Sequence, residues 1–232
     1  MIPIQLRSNC LRPPCAGKYI KPLIITAAAF LWQGSVYLVS RWIAAGWTHF
    51  DMTTSADRLI PFLPWTVSIY LLCYLFWAVN YYLCAAQNPS ERNRFFLADA
   101  LAKAVCFLIF LLIPTTNIRP ATGSDTVWDI LMTHLYQIDS ADNLFPSIHC
   151  LVSWFCWISV RKRKDISILY RIFSLVMAAA VCLSTLTTKQ HVLADVAGSL
   201  LLAEASHYIA GRPKVRSACS AILSRLKRAP SK

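Results

Sequence analysis

From Trp65 to Ala86 the chain carries no Asp, Glu, Lys or Arg, and runs of similar character recur along its length. About 20 apolar residues let an α-helix cross the hydrocarbon core of a bilayer. In lipid every backbone N–H and C=O must be satisfied within the segment, so such runs fold as helices. Composition agrees. Of 232 residues, 56% are hydrophobic and 15% charged, against about 25% charged in a soluble domain, and mean hydropathy is +0.48. The expectation is an all-α polytopic membrane protein with a single membrane domain.

Six spans are predicted: 22–46, 65–86, 95–113, 144–160, 168–187 and 192–210. Residues 1–21 form a basic N-terminus and 211–232 a basic tail. In the tail Val215, Cys219, Ile222 and Leu226 recur at helical spacing, as on a segment lying on anionic headgroups. The first long apolar run follows Lys21 and is too long for a signal-peptide core, so it reads as a retained helix. Trp42, Trp47 and a snorkelling Arg41 mark its far interface. Within the third span, Asp99 and Lys103 are four apart and read as a pair along the helix. The third connection, 115–145, is the longest. It holds Asp125, Asp129, Asp139 and Asp142, and an amphipathic stretch after a Ser124 cap with Val127, Trp128, Leu131 and Leu135 on one side. That stretch is expected to lie in the interface.

The net charge of +12 does not point to nucleic acid, because no aromatic-basic face accompanies it. Lysine and arginine instead crowd the N-terminus, the second and fourth connections and the tail. The first, third and fifth connections hold only Arg58, Arg119 and Lys189. Six spans put both termini on one side, and that bias places them in the cytoplasm and the odd connections on the opposite face. The nine cysteines show neither zinc-site nor disulfide-framework spacing.

The odd connections carry the residues with chemistry. His191 and Asp195, four apart, share a face at the mouth of the last apolar segment. Ionisable groups at membrane depth cost at least ~2.5 kcal/mol each, so they face a cavity and mark function. Upstream, Pro146-Ser147-Ile148-His149 opens another apolar segment. Helix N-termini favour anions, which suits a phosphate. Arg119 offers a planar fork for phosphate oxygens and Lys189 a point charge. Asp195 accepting from one nitrogen of His191 leaves the other as nucleophile or base. His149, from another helix, then serves as general acid. Two histidines and a carboxylate match a zinc count, but their basic neighbours favour an anion, so no metal and no other cofactor are expected.

With Arg119-Pro120, Pro146-Ser147-x-His149 and His191-x-x-x-Asp195 in place, the chain resembles the type-2 phosphatidic acid phosphatase superfamily, six-helix membrane enzymes related to vanadium haloperoxidases. Three positions depart from that family's pattern. Leu112 stands at the first-motif lysine, Ile148 at the second-motif glycine, and Thr185 at the third-motif arginine. The Asn143-x-x-Pro146-Ser147-x-His149 and Thr188-Lys189-Gln190-His191 forms are similar to the branch containing inositol phosphorylceramide synthases. The resemblance implies that His191 forms a phosphohistidine, Asp195 orients it and His149 is the general acid. It further implies that Arg119, Ser147 and Lys189 hold the phosphate of a phosphorylated membrane lipid, with Lys189 in place of the lost arginine. Water as acceptor gives a phosphatase, and an alcohol gives a phospho-headgroup transferase. A non-catalytic transporter or scaffold that kept the fold is the alternative of another class.

Overall fold

The computed structural model describes residues 17–218 and residue 221. The basic N-terminus up to residue 16, and the tail pattern from Cys219 onward apart from residue 221, lie outside the described residues. The described residues are mostly helical: α1 (Gly17–Ala44), the short α2 (Ser55–Leu59), α3 (Val67–Ala85), α4 (Pro89–Leu112), α5 (Val127–Ile138), α6 (Ile148–Val160), α7 (Ile168–Thr187) and α8 (Leu193–Ala210). One departure from the all-α expectation is a two-residue parallel pair, β1 (Phe50–Asp51) with β2 (Thr115–Thr116), which joins the first and third connections.

Among the described residues, four helical stretches are long and apolar enough to cross a membrane: Tyr19–Ala44, Pro64–Ala85, Pro89–Leu112 and Ile168–Thr187. Their outward faces are apolar. On α7, Leu169, Ile172, Phe173 and Val176 are all exposed at helical spacing, a surface that in water is a liability and in lipid is ordinary. α6 is apolar but has only 13 residues, about 20 Å of helix. It is the hub, packed against α3, α4, α7 and α8, with Cys150, Leu151, Val152, Phe155 and Cys156 fully buried.

Helix starts follow local capping chemistry. α4 begins at Pro89, six residues before the predicted Phe95. Asn88 accepts the Glu91 N–H and Pro89 occupies the first turn, where its missing N–H costs nothing. α6 begins at Ile148 instead of 144, because Ser147 is the cap. α5 is capped by Thr126 in a reciprocal box with Asp129, not by Ser124. Arg41 does not reach outward as predicted. Its guanidinium pairs with Asp142 at 3.0 Å and donates to the Ser140 hydroxyl, tying α1 to the third connection. On α4, Lys103 and Asp99 pair at 2.8 Å, both buried, and Tyr81 donates to the same carboxylate at 2.6 Å.

The odd connections gather at one end of the bundle. Leu63 donates its N–H to the Thr187 carbonyl at 2.9 Å, Asp57 accepts from Leu193 N–H at 2.7 Å, and Asn117 donates to the Lys189 carbonyl at 2.9 Å. At the other end Arg161 forks onto Glu204, and Arg163 reaches the Leu83 carbonyl. This separation of ends puts the histidine motifs together.

Candidate functional site

Two helix starts, α6 and α8, face each other across a short seam. Ser147 accepts the Cys150 N–H at 3.3 Å, which places His149 in the first turn of α6. After α7 the chain turns through Lys189, whose φ of +54° is left-handed. The N–H groups of Gln190 and His191 then both donate to the Thr185 carbonyl at 3.0 Å. Asp195, in the first turn of α8, accepts from Val192 N–H at 3.0 Å and lies 3.1 Å from His191 Nδ1 through the same oxygen. The Ser199 hydroxyl touches the Ser147 and Asp195 carbonyls at 2.8 and 2.6 Å, which locks the seam. The two imidazole rings end up 6.1 Å apart, centroid to centroid.

An ionised Asp195 only accepts hydrogen bonds, so the contact puts the proton on His191 Nδ1 and the lone pair on Nε2. Burial pushes the His191 pKa down, but the hydrogen bond and the charge of Asp195 outweigh it, leaving the value raised.

His191 lines two cavities that differ in their charged residues. One, about 510 Å³, is lined by Arg58, Arg119, Lys189, Asn117 and the acidic Asp57 as well as His191, so its walls are net cationic. The other, about 200 Å³, is lined by His149, Tyr37, Tyr74, Trp77, Asp139 and Gln190. Cationic walls suit a phosphoryl group, and aromatic and apolar walls suit what the phosphate is attached to. Among the described residues no group of three or more His, Cys, Asp and Glu side chains forms a metal-holding set.

The residues expected from sequence take different places. His149, His191 and Asp195 come together. Arg119 lines the cationic cavity, stacked 4.8 Å over the Tyr136 ring, with two of its nitrogens on the Asp139 and Ser140 carbonyls and Nε unpartnered. Lys189 lines the same cavity, but its ammonium donates to the Asp57 and Ile60 carbonyls at 2.9 and 2.5 Å. One of its three protons is left over. Ser147 is fully buried as a helix cap and lines neither cavity. Leu112, at the position of the family's first-motif lysine, is 77% exposed on the outer face of α4.

Sequence reasoning missed four residues. Tyr70 and Tyr74 on α3 reach the two nitrogens of His149 at 3.2 and 3.3 Å, and Asp139 accepts from both Tyr70 and Tyr37 at 2.8 and 2.7 Å. The spacing of Tyr70, Tyr74 and Trp77 along one helix face was a usable signal. Nothing in the spacing of the third connection's carboxylates singled out Asp139. No known family model, curated protein or solved structure matches the chain.

Proposed function

We propose that the protein is a six-span integral membrane enzyme that cleaves a phosphoester of a lipid through a phosphohistidine at His191, at the non-cytoplasmic face. The observation carrying this reading is the pair of imidazoles 6.1 Å apart, one oriented by Asp195, at the junction of a cationic and an aromatic cavity. On this reading α6 and α8 complete the six spans. A 13-residue α6 covers only about two thirds of a ~30 Å core, so its N-terminal histidine sits recessed below the headgroups, where a lipid phosphoester can reach it.

In the first half-reaction the Nε2 lone pair of His191 attacks phosphorus. The P–O bond to the lipid alcohol breaks, and the leaving oxygen takes a proton from His149. In the second, water or an acceptor alcohol gives a proton to His149 as its oxygen attacks phosphorus, and the P–N electron pair returns to His191. Arg119 and the free proton of Lys189 offset charge on the phosphoryl oxygens. No metal enters this scheme. The buried Gln190, whose amide has no partner, lines one cavity with both histidines, where the hydroxyl of either acceptor, water or alcohol, would satisfy it.

The test is purified protein in detergent against a panel of phosphorylated lipids, with and without EDTA. Turnover should be unaffected by chelation, abolished in His191→Ala and reduced on the order of 10²-fold or more in His149→Ala. Unchanged turnover in His191→Ala would sink the mechanism. Added polyol or lipid alcohols, scored for transfer product, separate transferase from phosphatase.

A further inference from the structure

We propose that Asp139, acting through Tyr70, is the positioning group that keeps His149 in the tautomer a general acid needs. The idea rests on the reading of His149 given above and adds two residues to it.

The direction of each hydrogen bond follows from counting protons. Asp139 is partly buried, which raises its pKa. The charge of His149 and the hydrogen bonds from Tyr37 and Tyr70 pull it down further, and the net value lies below the ordinary carboxylate range. It is therefore an anion that only accepts. Tyr37 donates to one oxygen at 2.7 Å and Tyr70 to the other at 2.8 Å. A tyrosine has one hydroxyl proton, so that of Tyr70 is committed to Asp139. At its contact with His149 Nδ1, 3.2 Å away, the Tyr70 oxygen must accept, and Nδ1 must carry the proton. Nε2 is then the nitrogen that gains and loses a proton. It faces the Tyr74 hydroxyl at 3.3 Å, and His149 and His191 line the same cavity.

The carboxylate also favours the imidazolium. A negative charge one tyrosine away stabilises the protonated ring that the leaving oxygen needs, while the second proton stays on Nδ1 throughout. Only Nε2 exchanges a proton, and Asp139 stays ionised. The groups facing His149 are Tyr70 and Tyr74 from α3, Asp139 from the segment after α5, with Tyr37 of α1 behind it, and His191 from the α7–α8 connection. Arg119 holds that segment through the Asp139 and Ser140 carbonyls, so the carboxylate is fixed from its backbone as well.

A structural role and a general-acid role differ in how the loss depends on the leaving group. Tyr70→Phe should lower kcat/KM about 10- to 100-fold on an alkyl phosphate ester, whose leaving oxygen needs a proton. On 4-nitrophenyl phosphate, which leaves without one, the loss should stay under about threefold, because kcat/KM reads only through formation of the phosphoenzyme. Asp139→Asn should behave alike, and the double variant should be no worse than the poorer single. Equal losses on both esters, or full additivity, overturn the relay. A second measurement does not depend on turnover: in ¹⁵N-histidine-labelled wild-type protein, neutral His149 should carry its proton on Nδ1, and Asp139→Asn should lower its titration midpoint. A proton on Nε2 overturns the relay whatever the enzyme does. The Nδ1 tautomer with neither ester cleaved removes the proposed reaction and leaves the hydrogen-bond chain standing.

Discussion

At the residue scale, the site depends on which proton sits where. On the proposed mechanism His191 has to be neutral at Nε2 to attack, and its pKa is raised by Asp195 despite burial. The rate should therefore fall as pH drops through that raised value. Asp195→Asn removes the charge that raises it, so the acidic limb should move to lower pH. The remaining rate should drop on the order of 10³-fold, because the wrong tautomer is no longer penalised. A pH–rate profile of wild type and variant checks both, and a limb that stays in place contradicts the assignment. The two histidines and Asp195 were legible because ionisable side chains stand out in apolar sequence. Lys189 was legible only in part. Its charge is near the site, but two of its protons are spent on the carbonyls of Asp57 and Ile60, across a separation in sequence that no local pattern encodes. Tyr70 and Tyr37 were hidden for the converse reason: an aromatic in an apolar run reads as packing until its hydroxyl's partner is known.

At the element scale, helix ends and seams carry the precision. Gly198 lies where α8 passes Phe145, and a β-carbon there would come within 2.5 Å of the Phe145 ring. That ring precedes Pro146, Ser147 and His149, so Gly198→Ala should push on the α6 start and destabilise by about 1–3 kcal/mol. Lower activity and a lower melting temperature in detergent check this, and a neutral effect contradicts the tight seam. On α4 the buried Asp99–Lys103 pair holds Tyr81 and, with it, α3. Lys103→Met strands a buried carboxylate and should cost about 3–5 kcal/mol, and Asp99→Asn in the same chain should recover part of it. This pair was anticipated from its four-residue spacing. The starts of α4 and α6 were misplaced because hydropathy marks where lipid begins, whereas Asn88 and Ser147 mark where the backbone turns helical.

At the scale of the whole molecule, hydropathy alone gave the helical bundle and most of the helix order, since lipid leaves the backbone few alternatives. It could not give the hub role of α6, which comes from its neighbours and not from its own length. The clustering of odd connections at one end and the arginine pairs at the other fits the proposed sidedness. Asp125 is exposed at the end that carries the site, and Lys164 is exposed in the α6–α7 connection. The six described cysteines are buried. With Cys10, Cys15 and Cys219 replaced by serine, Asp125→Cys should react with an impermeant maleimide on intact cells, and Lys164→Cys only after permeabilisation. The reverse pattern contradicts the orientation.

The central claim is a covalent bond from phosphorus to His191, and trapping it is the most direct measurement. His149→Ala protein, given an activated aryl phosphate, can form the intermediate without a general acid but lacks the base to clear it. Rapid quenching and peptide mapping should then find an acid-labile, alkali-stable phosphate on His191, absent from His191→Ala. Phosphate on another residue, or equal labelling of the His191→Ala protein, would contradict the mechanism.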